Sequence, residues 1–204
     1  MARAVAVALL LAVAGSFAAA EDEVLRVKFE VTSLDGKKGE TGSFIMEAHS
    51  EWAPLGFARF KEMVETDFFK GVRFFRVIEG FMAQFGIHGK PAIAAEWKEK
   101  TLKDDPVVES NKRSYVSFAT SGKDSRTTQM FINFSDNANL DGMDFSPFAK
   151  VTEGMEFVDR IFKIGEKPDQ GRIQAEGNKY LKKEFPRLTW IKSATLVDGD
   201  GKEL

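Results

Sequence analysis

The sequence predicts a mainly β fold, a closed antiparallel barrel or a two-sheet sandwich, on three observations. Short apolar or alternating runs recur along the chain between turn residues. Only two stretches, opening at Pro54 and at Met155, keep a helical spacing of apolar residues, and they lie far apart. The chain has 204 residues, 19 of them Phe, which suits one domain with a sizeable core. Pattern alone does not choose between barrel and sandwich.

Residues 25–31 alternate as a half-buried strand does, with Val27, Phe29 and Val31 on one face and Arg26, Lys28 and Glu30 on the other. Asp35-Gly36 and Gly39 make residues 34–41 a turn, and 43–49 the second strand. Pro54 suits the first turn of a helix. Phe57, Phe60, Met63 and Val64 give that helix an apolar face, and Gly71 is its expected stop. Residues 72–78 form the next strand. Residues 87–108, with Pro91, Trp97 and Pro106, read as a long irregular stretch. Strands follow at 114–119, 129–134 and 147–151, with a polar loop at 120–128. Gly154 precedes a helix over 155–164, apolar at Met155, Val158, Ile161 and Phe162. Residues 165–177 are loop-like, with a helical turn within 173–181. The closing strand is 188–197.

Residues 1–20 read as a cleaved secretory signal peptide. Arg3 is a short positive region, and the apolar run 4–14 is too short to span a bilayer. Ala18-Ala19-Ala20 then gives a small-residue cleavage pattern before Glu21-Asp22-Glu23. Residues 21–204 are accordingly one domain in an exported compartment: the endoplasmic-reticulum lumen, the secreted fraction or the periplasm. No other apolar run is long enough to cross a membrane, so no membrane partner is expected after cleavage.

Several function classes are excluded or disfavoured. The 29 basic and 31 acidic residues nearly balance without a like-charge run, so no nucleic-acid footprint is present. Cysteine is absent, which excludes disulfides, thiol nucleophiles and zinc-thiolate sites. His49 and His88 are the only histidines and lie far apart, so neither a metal nor a cofactor is expected. Asn133-Phe134-Ser135 is a glycosylation sequon, but its strand position beside Phe131 argues against modification. No phosphate-binding glycine loop appears.

The segment 74–84 reads Phe-Phe-Arg-Val-Ile-Glu-Gly-Phe-Met-Ala-Gln. It sets one permanent cation, Arg76, close to Phe81, Met82 and Gln84. A guanidinium keeps its charge and offers planar, fixed donors. Beside an apolar floor, it can aim a hydrogen bond at a polar atom of a greasy ring held there. The segment closely resembles the signature of the cyclophilin family of peptidyl-prolyl cis–trans isomerases, Phe-His-Arg-hydrophobic-hydrophobic-x-Gly-Phe-Met-x-Gln-Gly-Gly. Here Phe75 replaces the His, and Phe85-Gly86 replaces the final pair.

Two further segments are similar to that family. Residues 117–120, Ser-Phe-Ala-Thr, with 127–133, Thr-Thr-Gln-Met-Phe-Ile-Asn, resemble its Ser-Met-Ala-Asn…Ser-Gln-Phe-Phe-Ile. Asn139-Leu140-Asp141-Gly142 resembles its Trp-Leu-Asp-Gly. The resemblance runs over residues 25–197 and implies a closed eight-stranded antiparallel barrel capped by two α-helices.

It also implies roles. Arg76 is the expected catalytic donor, with Gln84 orienting it and binding the substrate backbone. Phe81 and Met82 are expected to floor a proline pocket, Phe131 to wall it and Leu140 to line it. Ala119 and Thr120 fall where the family presents backbone groups to the residue before proline, and Gln129 matches a family position. Thr120 replaces an Asn. Asn139 replaces the Trp that lines the family's outer groove and matters for cyclosporin binding. The His after it is missing, and Asp144 or Phe145 takes its place. Phe145 is favoured, because a ring suits a pocket rim better than a carboxylate does.

The expected function is a peptidyl-prolyl cis–trans isomerase that assists the folding of exported proteins, acts on proline-containing polypeptides as a monomer and binds cyclosporin weakly. The alternative is a non-catalytic X-Pro peptide-binding module on the same scaffold, motivated by Thr120, Asn139 and the lost His. A holdase-like chaperone working through exposed Phe side chains is a third reading.

Overall fold

A computed structural model describes residues 22–204. The signal peptide read at residues 1–20 lies outside the described residues.

β1 (Val24–Thr32) buries Val27, Phe29 and Val31 completely. It pairs antiparallel with β2 (Thr41–His49) over its whole length, which brings Phe29 opposite Phe44. Their rings stack with centroids 5.1 Å apart, an arrangement that adds to the area both rings bury. The sheet is completed by β3 (Arg76–Ile78), β4 (Met82–Phe85), β5 (Tyr115–Phe118), β6 (Met130–Asn133), β7 (Pro147–Glu153) and β8 (Trp190–Leu196). All strand pairs are antiparallel, in the order β3-β4-β6-β5-β7-β2-β1-β8. Its inner face is filled by Phe29, Phe44, Phe60, Phe69, Phe74, Phe85, Phe118 and Phe148, all nearly inaccessible to water.

The expected closed barrel is not what forms. The eight strands make a curled half-barrel whose end strands, β3 and β8, do not pair with each other. Only the segment before β3 reaches β8: Gly71 donates to the Ile191 carbonyl, Ile191 to Val72 and Phe74 to Thr189. That contact stays short because turns confine it. Val72 donates back to Phe69 on one side, and Leu188 to Phe185 on the other. The strand expected over 72–78 therefore shrinks to three residues.

α1 (Pro54–Glu65) packs on β2, β7 and β8. Its N-cap, Ala53, offers no side-chain acceptor. Asp105 supplies one from the distant chain: its Oδ1 accepts from the Leu55 amide at 3.0 Å and its Oδ2 from Gly56 at 2.8 Å, satisfying two of the orphan donors at the helix start. The helix ends before Gly71. Asp67 takes the left-handed conformation (φ 52°), while Asp67 and Phe68 donate to the Val64 and Met63 carbonyls, as a Schellman cap requires.

The remaining helices also differ from the expected two. Within the stretch read as irregular, α2 (Pro91–Lys98) forms with Pro91 in its first turn. Ala94 and Trp97 are its only buried residues, too few to give a periodic signal. The helix expected over 155–164 reduces to the single turn α3 (Met155–Val158). After it, Arg160 and Ile161 donate three residues back, which tightens the chain and drives Ile161 into the core. The loop-like region instead holds α4 (Gln170–Glu176) and α5 (Asn178–Glu184), parted by Gly177. At Gly177 (φ 58°) a Cβ would sit 2.9 Å from the Gly89 carbonyl carbon, so only glycine fits. These helices build a second apolar cluster with Phe75, Ile87 and Leu188.

Candidate active site

β3 and β4 form a hairpin that turns at Gly80, whose φ is 70°, a value that favours glycine. In β4 the period of two divides the side chains. Ala83 and Phe85 join the main core, while Met82 packs into a separate cluster with Phe131 and Leu140. Register extends that second face sideways: Arg76 of β3 lies opposite Gln84 of β4, and Gln84 opposite Phe131 of β6. One row across three strands thus carries a cation, an amide and an aromatic ring on the face away from the main core.

The polar end of this row is fixed by a relay. Arg76 Nη1 donates to Gln84 Oε1 at 3.2 Å, and Gln84 Nε2 donates to Gln129 Oε1 at 2.9 Å. Gln84 is 6 % exposed, so the relay is largely shielded from competing water. Arg76 also stands over the Phe81 ring, 6.0 Å from its centroid. On the outer side, Arg76 Nε donates to Glu166 Oε1 at 2.7 Å.

The apolar end is a pocket. Met82, Phe131 and Leu140 are buried, with Ile78, Phe81, Ala119 and Phe145 packed against them. The Phe131 and Phe145 rings meet edge to face at 5.6 Å. A cavity of about 310 Å³ opens here, lined by all ten residues singled out in the sequence: Arg76, Phe81, Met82, Gln84, Ala119, Thr120, Gln129, Phe131, Leu140 and Phe145. Ser121, Ser125, Thr127 and Gln170 line it too.

The details at its rim are specific to this chain. Phe75, at the signature's His position, is 1 % exposed and belongs to the helix-side cluster, so it takes no part in the pocket. The Ala119 amide donates to the Gln129 carbonyl at 2.8 Å, which leaves its carbonyl as the group it offers a ligand. The Thr120 hydroxyl accepts from the Gly122 amide and lies 2.9 Å from Ser125 Oγ, so it stiffens its own loop. Asn139 is exposed and stands outside the cavity; Asp144 is also exposed and lines a neighbouring depression, whereas Phe145 lines the cavity itself.

Beneath the rim lies a polar network that no motif announces. Asp141 accepts from Ser110 Oγ, from the Asn111 amide and from Asn111 Nδ2. Asn111 Nδ2 also donates to the Phe145 carbonyl, and its Oδ1 accepts from Ser117 Oγ. Partial burial raises the Asp141 pKa, but the hydrogen bonds from Ser110 and Asn111 outweigh it and hold the carboxylate below its ordinary value. Asn137 bridges Asn133 Oδ1 and the Phe81 carbonyl. Asn133 itself is fully buried and donates to the Tyr115 carbonyl; this leaves its sequon no room for a glycan. Glu166 and Asn111 escaped the sequence reading because they reach the site only through tertiary contacts.

The half-barrel thus carries a guanidinium beside an apolar pocket on the face away from its main core. The fold matches a crystal structure of a Cryptosporidium parvum cyclophilin type peptidyl-prolyl cis-trans isomerase, with a TM-score of 0.60 at 18 % identity, covering 87 % of this chain and 99 % of that one. The family model of the cyclophilin type peptidyl-prolyl cis-trans isomerase/CLD domain matches residues 31–178. The chain belongs to this family of isomerases, whose members act on proline-containing peptides. It is 35 % identical over 135 residues to peptidyl-prolyl cis-trans isomerase A of Dickeya dadantii, covering 60 % of this chain and 67 % of that protein. It is 32 % identical over 137 residues to a peptidyl-prolyl cis-trans isomerase of Acinetobacter baylyi, covering 62 % and 70 %.

Proposed function

We propose that this isomerase assists the folding of exported proteins, with Arg76 as its catalytic donor and the Phe81, Met82, Phe131, Leu140 and Phe145 pocket as its proline site. The observation that carries this reading is the in-register row Arg76–Gln84–Phe131, which sets a guanidinium at one edge of an apolar cavity.

The chemistry needs neither a nucleophile nor a metal. The barrier of about 18–20 kcal/mol is the resonance lost when the amide twists. As the X-Pro bond rotates, the prolyl nitrogen becomes pyramidal and gains a lone pair. A donor aimed there binds the twisted state better than either planar state, and only such a difference accelerates the reaction. Gln84 holds the Nη1 side of that donor, and the Ala119 carbonyl engages the residue before proline. The test is NMR exchange on a short X-Pro peptide, with wild-type protein and with Arg76→Ala. Exchange acceleration that collapses in the variant supports the assignment; full acceleration by the variant refutes it.

Export rests on the signal-like pattern at residues 1–20 and the Ala18-Ala19-Ala20 site. Mass spectrometry of the protein purified from an expressing cell tests it: a chain beginning at Glu21 supports cleavage, and an intact Met1 refutes it. We further propose that the protein acts as a monomer, without membrane attachment after cleavage, and that it binds cyclosporin weakly because Asn139 leaves the groove without its indole wall.

A further inference from the structure

Glu166 lies 90 residues from Arg76 in sequence, yet it meets the guanidinium directly. Oε1 of Glu166 accepts from Arg76 Nε at 2.7 Å and from Nη2 at 2.5 Å. Gln84 takes one Nη1 hydrogen from the opposite side. A guanidinium has five N–H donors in one plane. Two protein groups hold it at its Nε side and at Nη1, and two donors remain for a ligand.

The position of Glu166 is not explained by the stability of the loop that carries it. The loop is already anchored at both ends. Gly165 and Val77 exchange backbone hydrogen bonds, at 2.8 and 3.1 Å. At the far end the Asp169 carboxylate accepts from the Arg172 amide, and the Asp169 amide donates to the Tyr180 hydroxyl. Between these anchors the Glu166 side chain is 63 % exposed. An ion pair so open contributes little to stability. Its geometric consequence falls on Arg76 instead. Without Glu166, this long, four-torsion side chain is held only by the 3.2 Å bond to Gln84 and its contact with the Phe81 ring; it keeps much rotamer freedom, and loss of that freedom on reaching the transition state slows the reaction.

We infer that Glu166 is a positioning residue for the isomerase reaction, clamping the Nε side of the Arg76 guanidinium so that its free donors stay aimed into the pocket. The inference rests on Arg76 being the catalytic donor. It places the loop 165–170, which no sequence motif marks, inside the machinery of the site. Gln170, at the end of that loop, lines the same cavity.

The experiment compares wild type, Glu166→Ala, Glu166→Gln, Arg76→Ala and the double variant Arg76→Ala/Glu166→Ala on one X-Pro peptide, reading kcat and KM separately. Glu166→Ala is expected to lower kcat about tenfold with KM changed less than about twofold. Glu166→Gln keeps the acceptor oxygen and is expected to recover part of the loss. In ¹⁵N NMR the Arg76 Nε–H resonance is expected to be protected from exchange in wild type and to broaden in Glu166→Ala. On the Arg76→Ala background, Glu166→Ala is expected to cost nothing more, since coupled residues are not additive. An unchanged or faster kcat in Glu166→Ala overturns the inference, as does an equal loss on both backgrounds. If Arg76→Ala itself retains full activity, the assignment of the donor falls first, and the behaviour of Glu166 on the wild-type background does not rescue it.

Discussion

Asn111 and Asp141 are tied to each other twice: the backbone amide of Asn111 and its Nδ2 both donate to Oδ1 of Asp141, at 2.9 and 2.8 Å. Asp141 sits one residue after Leu140, and Asn111 Nδ2 also holds the Phe145 carbonyl. Two residues that line the cavity, Leu140 and Phe145, therefore hang from one amide–carboxylate pair. Asp141→Ala strands donors of the fully buried Asn111, so it is expected to cost about 2–3 kcal/mol in urea unfolding. It is also expected to raise KM more than it lowers kcat, because the floor and the guanidinium stay in place.

The same pair sets an acid response. The folded protein holds the Asp141 carboxyl below its ordinary value of 3.8. A depressed carboxyl binds its proton less readily in the folded state than in the unfolded state. Its contribution is thus complete above the ordinary value and is lost as pH falls through the depressed one. Urea midpoints followed from neutral pH downwards are expected to hold to about pH 4 and then to fall. The Asp141→Ala variant is expected to show a shallower fall over that window.

Arg76 is expected to require shape as well as charge. Arg76→Lys keeps a cation but loses the planar fork that Gln84 and Glu166 engage from two sides. It is expected to lose about 10²–10³ in kcat/KM, as loss of one preorganised donor does. Peptide titration by NMR is expected to show binding largely retained. A lysine variant with near wild-type kcat/KM would mean that charge alone suffices.

Gly86 follows β4, where the signature's last glycine stands. Its φ is 106°, and an added Cβ would lie against the Thr128 carbonyl oxygen and 2.8 Å from Gln129 Cα. Neither neighbour is a flexible side chain. Gly86→Ala is expected to destabilise the protein by about 3 kcal/mol or more, combining backbone strain with overpacking. It is also expected to displace Gln129 and so to loosen the relay to Arg76. Thermal unfolding checks the first effect, and activity at low temperature the second.

Asn139 is exposed on the short 3₁₀ turn Ala138–Met143. Asn139→Trp restores an indole where the family has one and is expected to tighten cyclosporin binding by about tenfold or more. Calorimetric titration of both proteins reads the difference directly.

One side of the cavity was legible because its determinants are local. Arg76, Gly80, Phe81, Met82 and Gln84 lie on one hairpin, and their spacing survives in the linear chain. The alternation in β1 was equally plain, since Val27, Phe29 and Val31 all face one core. β4 itself went unread: four consecutive buried residues, with one face to the core and one to the pocket, show no polar alternation. α2 was hidden by its brevity. The partial closure of the barrel could not be read from any segment, because it depends on turns at two distant places bringing residues 71–74 to β8. Glu166 and Asn111 were missed for the same reason. Each acts through a partner that the sequence places far away.

β1 runs between β2 and β8, so the first strand of the domain is completed by the last. During synthesis β1 and β2 can form a hairpin early, but one edge of β1 stays open until residues 190–196 emerge. Exposed edges of this kind template association with other chains. The interval between the second strand and the eighth is therefore the vulnerable period in the life of this molecule. A truncation that removes β8 would leave it permanently in that state, with the hairpin that carries Arg76 fully translated and its oldest strand unprotected.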